Sequence, residues 1–259
     1  ETVVNDYWSG LVTKWFRKPE VIMMATTFGA FETIHAEAYS LLNETLGLEN
    51  FAEFMEDEAT MAKIENLTAV RDSFNGEKDI HEIAKSLAIF SAFTEGVNLF
   101  SSFAVLLSFK MQNKLKGVGQ IVEWSIRDES LHSEAGCWLF RTLIAENPNI
   151  KTPELEAAIN EAALLSLQLE LDFIEKVYEL GDLEGCSKYD LINFIKNRVN
   201  TKLGDLGYNP IIGDVDMNAV NNMKWFDALS AGKQHTDFFA SRVTNYAKGT
   251  KDWDAATLF

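Results

Sequence analysis

Residues that break helices are scarce in this sequence. Only four of its 259 residues are prolines, and turn-forming dipeptides are few. Since such residues mark turns and the ends of helices, their shortage predicts a mostly helical fold with few long loops. Hydrophobic residues make up 47% of the chain, which is enough for the core of one large helical bundle.

Cysteine is scarce as well. The chain has two, Cys137 and Cys186, and neither lies in a spacing typical of metal sites. Cys137 falls in an apolar helical run and is predicted to be a buried small hydrophobic residue. Because no signal peptide is visible, the composition predicts a reducing, cytoplasmic setting.

Basic residues are outnumbered by acidic ones. The 23 lysines and arginines face 39 aspartates and glutamates, which gives a formal net charge of −16. Such a surface repels phosphate backbones, so we expect no nucleic-acid binding. The charge serves solubility, and part of it can belong to carboxylates that hold cations.

No apolar run is long and clean enough to predict a membrane span. The best candidate, Ser86 to Phe109, carries Glu95 and Asn98 near its centre, where a charge is costly in lipid. A buried helix explains the run better. A carboxylate in such a helix needs either a basic partner or a cation. No basic residue lies between Glu95 and Phe109 or among the apolar residues before Glu95, so a metal ligand is favoured.

Two Glu-x-x-His motifs carry most of the chemical information. They are Glu32 with His35 and Glu129 with His132, each inside a long amphipathic stretch. Residues i and i+3 share a helix face, so each motif directs one carboxylate and one imidazole to the same spot. Two such helices, with carboxylates from two further helices, form a dinuclear metal site of the ferritin-like kind. The motifs therefore predict metal-driven oxygen chemistry in an all-α, ferritin-like four-helix bundle with additional helices.

A single Glu-x-x-His motif means little, because glutamate is common on helix surfaces; two half-exposed pairs are the alternative interpretation. Burial without partners would be costly, and metal ligation removes that cost. Mixed carboxylate and imidazole ligands suit iron and manganese, whereas zinc more often recruits cysteine or more histidines. The apolar residues that flank both motifs favour burial: Phe28, Phe31, Leu41, Leu42, Trp124, Ile126 and Leu131.

Tyr39 follows His35 by four residues and so lies one turn along the same helix face. A phenol beside an oxygen-activating metal pair is a natural one-electron donor. An ordinary buried tyrosine with a satisfied hydroxyl is the alternative, and position alone does not separate the two.

The pattern of apolar residues, caps and breakers predicts the order of helices. We expect them over residues 1–16, Pro19 to Leu46 with Gly47 as the stop, 49–74, Asp79 to Lys114, Gln120 to Glu146 after a turn at Gly117 and Gly119, Pro153 to Gly181, 187–203, and a short piece with Trp225 and Phe226.

With these residues in place, the chain resembles the small, radical-generating subunit of class I ribonucleotide reductase. The resemblance runs from about Pro19 to Tyr246 in the family's order. The matching segments are Phe31-Glu32-Thr33-Ile34-His35 with Tyr39; Glu95-Gly96 with Phe100 and Ser102-Phe103-Ala104; Ile126-Arg127-Asp128-Glu129-Ser130-Leu131-His132; Asn209-Pro210; and Thr236-Asp237-Phe238-Phe239 with Arg242-Val243 and Tyr246.

The resemblance implies a role for each matching residue. Tyr39 corresponds to the tyrosine that carries the stable radical. Asp128 corresponds to an aspartate that hydrogen-bonds a ligand imidazole on the route of the radical. Tyr246 corresponds to the tail tyrosine that passes the oxidising equivalent to the large subunit, where ribonucleotides are reduced to deoxyribonucleotides. The residues that correspond to metal ligands are Glu32, His35, Glu95, Glu129 and His132.

The resemblance also implies a sixth ligand upstream. Counting back without gaps points to Glu1, and Asp6 is the alternative if the alignment slips. The chain starts without methionine, so we expect an N-terminal piece to be missing. The family's upstream tryptophan on the radical route has no counterpart, because Trp8 and Trp15 do not match its position.

The expected organisation is a dimetal helical domain over residues 1–247 and a flexible tail over 248–259 that docks on the large subunit. Trp253, Leu258 and Phe259 are its apolar anchors. The family implies a homodimer and a dinuclear centre, of which di-iron is favoured and di-manganese or mixed centres also occur. Three alternatives are a ferritin-like oxidase or monooxygenase acting on a small apolar molecule, an iron-storage protein, and a purely structural bundle.

Overall fold

The computed structural model describes residues 1–48, 56–74, 76 and 78–230, and within them it contains helices and no β-strand. Three segments depart from α-helical geometry: the π-helical segments π1 (Asp6–Val12) and π2 (Phe90–Thr94), and a 3₁₀ turn at Pro148–Ile150. The α-helices in chain order are α1 (Thr2–Asn5), α2 (Thr13–Trp15), α3 (Pro19–Leu46), α4 (Glu58–Ser73), α5 (Ile80–Ile89), α6 (Phe100–Met111), α7 (Lys116–Glu146), α8 (Pro153–Tyr178), α9 (Lys188–Leu206), α10 (Met217–Asn222) and α11 (Lys224–Ser230).

Local signals in the sequence account for several helix ends. Pro19 occupies the first turn of α3, and Gly47 ends that helix in the left-handed conformation with φ of 68°. Asp79 Oδ1 accepts a hydrogen bond from the backbone N–H of Glu82 at 3.0 Å and so caps α5. Thr152 caps α8 in the same way. These boundaries confirm the predictions made from the sequence.

Three predicted boundaries are wrong. The helix expected over residues 49–74 begins only at Glu58, after the capping residue Asp57. The helix expected from Asp79 to Lys114 is interrupted after Ile89 by π2 and by turns, and it resumes at Phe100. The turn expected at Gly117 and Gly119 lies inside α7. Gly119 marks a close approach between helices instead, because a Cβ there would lie 2.7 Å from the Lys110 side chain on α6.

Four helical layers surround the centre of the molecule. The segment α1–π1–α2 packs on α3, α3 packs on α7, and α5 with π2 packs on α7. Helices α8 and α9 cover this bundle from outside. None of the described helices combines the length and the apolar composition that a membrane span needs. The largest fully buried aromatic side chains are Tyr7, Trp8, Phe74, Phe90, Phe93, Phe100, Phe140 and Phe226.

Candidate metal centre

Both Glu-x-x-His motifs point inward. Glu32 and His35 on α3, and Glu129 and His132 on α7, are all buried, with exposures between 0% and 5%. Because α3 and α7 pack against each other, the two inward faces meet. The alternative of two half-exposed surface pairs is therefore wrong.

Burial of the motifs comes from only some of their apolar neighbours. Phe28 and Ile126 are buried beside the motifs. Leu41, Trp124 and Leu131 are 60%, 54% and 47% exposed, so the prediction that they form part of the apolar surroundings is wrong. They lie on the outer faces of α3 and α7. None of them is three or four residues away from the glutamate or the histidine of its motif, and that spacing is what places two helical residues on the same face.

Two further carboxylates come from the other two helical layers. Glu95 follows π2, where its backbone N–H bonds to the carbonyl of Phe90 at 3.0 Å, five residues back. This wider turn holds one residue more than an α-turn and sets the direction in which Glu95 points. Glu1, at the start of α1, joins the same cluster, whereas Asp6 pairs with Arg71 at 2.9 Å. The structure thus brings Glu1, and not Asp6, to the group.

The six side chains form two overlapping sets of metal-binding atoms. One set is Glu1, Glu32, His35 and Glu129; the other is Glu32, Glu95, Glu129 and His132. Within each set the available ligand atoms lie within 4.8 Å of one another. Glu32 and Glu129 belong to both sets. This geometry suits two cations held side by side with two carboxylates shared between them.

Short distances hold the cluster together. His132 Nδ1 lies 3.0 Å from Glu32 Oε1 and 3.2 Å from Glu129 Oε2. His35 Nδ1 lies 3.1 Å from Glu129 Oε1. Even so, several of these buried atoms have no hydrogen bond of acceptable geometry, among them both oxygens of Glu32 and both ring nitrogens of His132. Orphaned buried polar atoms are costly, and cations would satisfy them, so the residues fit a dinuclear metal centre.

Burial and the attraction between neighbouring carboxylates and imidazoles shift the pKa values of the cluster residues. Burial raises the pKa of Glu95 well above its usual value and that of Glu1 to about 8. For His35 burial acts to lower the pKa, but the adjacent carboxylates of Glu129 and Glu32 outweigh it and raise the pKa to about 11. The same balance raises the pKa of His132 to about 12. In Glu32 and Glu129 burial acts to raise the pKa, but the two imidazoles outweigh it and lower both values.

Asp128 and Tyr39 lie next to this cluster. Asp128 Oδ2 is 3.0 Å from His35 Nε2, so it orients the imidazole with Nδ1 toward the carboxylates. Tyr39 donates its hydroxyl hydrogen to Ser125 Oγ at 2.9 Å. Burial is the main reason why the pKa of Tyr39 is raised, and the charges of Glu1, Glu129 and Glu32 add to it. Nothing in the sequence had pointed to Ser125.

Trp8, which does not match the position of the family's tryptophan, lies beside the cluster. Its indole Nε1–H donates to Glu95 Oε1 at 2.5 Å, and the side chain is completely buried. A signal was available, because Val4, Trp8 and Leu11 recur at helical spacing and predict one buried face.

A mostly apolar cavity of about 580 Å³ leads to the cluster. At its inner end it reaches Glu1, Glu32, Glu95 and Glu129. Its walls come from α4, α6 and α8, and the apolar lining residues include Ile64, Leu67, Leu99, Val105, Leu106 and Phe173. The size is typical of small-molecule sites, and the lining suits an apolar gas such as dioxygen.

Several predicted features lie outside the described residues. They are the segment Thr236 to Phe239, Arg242, Val243, Tyr246 and the tail 248–259 with Trp253, Leu258 and Phe259. Their roles stay predictions from the sequence.

The relatives found by sequence and those found by structure belong to the same kind of protein. A family model described as "Ribonucleotide reductase, small chain" matches residues 1–218. The probable ribonucleoside-diphosphate reductase small subunit 048L of Invertebrate iridescent virus 3 is 37% identical over 255 residues, which cover 92% of this chain and 67% of that protein. The ribonucleoside-diphosphate reductase subunit beta of Chlamydia pneumoniae is 26% identical over 264 residues, which cover 98% of this chain and 75% of that protein.

Solved structures of ribonucleotide reductase small subunits have the same fold as this chain. A putative class I ribonucleotide reductase from Bacillus halodurans superposes with a TM-score of 0.77 at 20% identity, over 87% of this chain and 81% of that one. The dimanganese(II)-NrdF of Streptococcus sanguinis gives 0.69 at 21% identity, over 86% and 77% of the two chains. The all-α, ferritin-like fold predicted from the sequence is therefore confirmed.

Proposed function

The chain belongs to the ribonucleotide reductase small-chain family, and from this premise we propose that it is the radical-generating small subunit of a ribonucleoside-diphosphate reductase. The observation that carries the proposal is the pair of overlapping ligand sets that share Glu32 and Glu129. Tyr39 lies close enough to both carboxylates for their charges to raise the pKa of its hydroxyl.

In this proposal each side chain of the cluster has a defined task. Glu32 and Glu129 would contribute to both metal sites, Glu1 and His35 would complete one, and Glu95 and His132 would complete the other. When bound, the metal pair would supply the redox chemistry that reduces dioxygen. The carboxylates also balance the charge of the ions in a buried place, where an uncompensated charge is costly.

Tyr39 is the residue that gives up an electron and its hydroxyl proton. The hydrogen bond to Ser125 Oγ fixes the position of the phenol oxygen, and partial burial protects the resulting radical from solvent. Asp128 holds His35 from the other side at Nε2, and its side chain is 33% exposed. His35 and Asp128 thus connect the cluster with the surface, which supports Asp128 as the first station of the outward radical route.

The remaining assignments rest on the sequence resemblance. We assign residues 1–247 to the dimetal domain and 248–259 to a tail that docks on the large subunit, with Tyr246 as the last station of the radical in this chain. A homodimer is part of the proposal. For the metal we propose di-iron, while the solved relative from Streptococcus sanguinis contains manganese; the ligand types serve either metal.

The test is electron paramagnetic resonance of protein loaded with ferrous ion and exposed to oxygen. We expect a tyrosyl radical that disappears in Tyr39→Phe, while the bound metal, measured by elemental analysis, is unchanged. A matched control is Tyr189→Phe, since Tyr189 is exposed and hydrogen-bonds to Asp216. A wild-type protein that binds two metal ions and forms no radical would contradict the proposal and favour a self-contained oxidase.

A further inference from the structure

The chain between π2 and α6, residues 95–99, carries a proposed metal ligand on irregular backbone. Glu95 is the first residue of this segment, whose residues form turns and no regular helix. One of its hydrogen bonds closes a second wide turn, because the N–H of Asn98 bonds to the carbonyl of Phe93 at 2.9 Å, five residues back. Such turns are rare in helices and frequent at functional sites. Regular helical hydrogen bonding therefore does not by itself fix the direction of the Glu95 carboxylate.

The buried carbonyl of Gly96 finds no donor in the described turns that follow it. The N–H of Phe100, four residues on, bonds to the carbonyl of Val97 at 2.9 Å. The N–H of Ser101, five residues on, bonds to Glu170 Oε2 on α8 at 3.2 Å. An unpaired buried carbonyl is costly, so the donor for Gly96 has to come from another element.

Arg198 on α9 is that donor. Its Nε–H donates to the Gly96 carbonyl oxygen at 2.5 Å. Its guanidinium carbon lies 3.1 Å from the centre of the Phe100 ring, so the planar cation also stacks on the first residue of α6. A hydrogen bond from a charged donor is about twice as strong as a neutral one. Arg198 thus holds both ends of the segment that begins with Glu95.

Gly96 lets this turn lie directly against α9. A Cβ at that position would collide with the Ala92 carbonyl oxygen and would lie 2.8 Å from the Lys202 side chain. Lys202 lies one turn along α9 from Arg198, and α9 also contacts π2. A glycine is therefore required at this contact, and α9 is the surface against which the position of the turn is set.

We propose that Arg198 is a positioning residue of the metal centre, which sets the direction of Glu95 by holding the Gly96 carbonyl. The inference rests on the proposed function, because it concerns the same two metal sites, and it assigns control of one of them to a side chain outside the cluster. The site affected is the one that Glu95 completes together with His132. Without the arginine, the Gly96 carbonyl is satisfied most easily when the turn rewinds into regular helix, and this rewinding turns Glu95 away from His132.

The other metal site should be insensitive to Arg198. Glu1 at the start of α1 and His35 on α3 complete that site, and their backbone lies outside the segment that Arg198 holds. A general loss of structure would weaken both sites alike. A loss confined to one site therefore separates a positioning role from a merely structural one.

The experiment titrates metal-free protein with manganous ion and follows binding by calorimetry and electron paramagnetic resonance. In wild type we expect two ions per chain, and the six-line signal of an isolated ion should give way to the broad signal of a coupled pair. In Arg198→Met one ion should bind as in wild type and the other about tenfold more weakly, equivalent to about 1.4 kcal/mol. The six-line signal should then persist at two ions per chain. Arg198→Lys keeps a charged donor and should recover part of the loss.

Arg141→Met is the matched control, since Arg141 on α7 also donates to a main-chain carbonyl, that of Asp205 near the end of α9. It should leave both affinities unchanged. Gly96→Ala displaces the same turn by a different route and should weaken the same ion as Arg198→Met. Because both changes act on one segment, the double variant should lose less than the sum of the two single losses.

Equal affinities for both ions in Arg198→Met and wild type overturn the inference and leave the proposed function standing. Weakening of both ions in Arg198→Met, in step with a lower melting temperature, also overturns it, because such a result indicates a structural role only. A wild-type protein that binds a coupled pair but forms no Tyr39 radical with ferrous ion and oxygen contradicts the proposed function and leaves the positioning role of Arg198 intact.

Discussion

Metal binding to the cluster should release protons in a number that the structure fixes. In the metal-free protein at pH 7, His35 and His132 are imidazolium ions because their pKa values are raised to about 11 and about 12. Glu95 and Glu1 carry their protons as well, because burial raises their pKa values. A metal ion needs the neutral imidazole and the ionised carboxylate as ligands.

The expected release is therefore two imidazolium and two carboxylic acid protons, about four for each pair of divalent ions at pH 7. Four positive charges enter and four leave, so the net charge of the buried cluster does not change. This balance is the physical reason for the number, since an uncompensated charge in such a place is costly. Glu32 and Glu129 contribute none, because their pKa values are lowered.

The release can be measured by adding manganous chloride to metal-free protein in weak buffer with a pH indicator, or by calorimetry in buffers of different ionisation enthalpy. Glu95→Gln removes one of the four protons and should give about three per pair. Glu37→Gln is the control, since Glu37 is an exposed residue on the same helix as His35. A wild-type release below two protons per pair would refute the protonation states and the reasoning behind them.

Three further outcomes are expected. In the metal-free protein the raised pKa values of His35 and His132 mean that the folded cluster binds protons more tightly than the unfolded chain. Its stabilisation is therefore lost as pH rises from about 6.5 toward the raised values of about 11 and about 12, and the melting temperature with chelator should fall over this range; a constant or rising value would contradict this. Asp128→Asn should weaken metal binding about 10- to 100-fold, because the amide no longer accepts the proton of His35 in the same way; titration with manganous ion checks this, and unchanged affinity would argue against the orienting role. Lys63→Met should cost about 3 kcal/mol in urea unfolding because it leaves the buried Glu170 without its cation, whereas Lys176→Met, in an exposed pair, should cost far less; equal costs would refute the distinction.

Much of the metal centre could be predicted from the sequence because its ligands obey simple helix geometry. Glu32 and His35, like Glu129 and His132, are three residues apart, and that spacing alone puts each pair on one face. Glu95 was identified by a different rule, the cost of a lone carboxylate in an apolar helix. Both rules are local, so neither needs knowledge of the tertiary structure.

Other features depend on contacts that no local rule contains. The hydrogen bond from Trp8 to Glu95 joins residues 87 positions apart, and the one from Tyr39 to Ser125 joins residues 86 apart. Gly119 was read as a turn because glycine commonly marks turns, but here it serves the approach of Lys110. Trp124 and Leu131 are predicted to be apolar surroundings of the site, but both are exposed. The sequence pattern shows that a helix is amphipathic, but it does not show which residues lie at the edge of the apolar face.

The π-helical turn at Phe90–Thr94 makes the direction of Glu95 depend on the number of residues that precede it. Deleting one residue from this turn would restore regular α-helix and rotate everything after it by about 100° relative to the preceding turns. Anyone who grafts this centre onto a designed bundle of ideal helices must transfer the irregular turn together with the carboxylate, because the six ligand identities copied onto straight helices would leave Glu95 facing another layer.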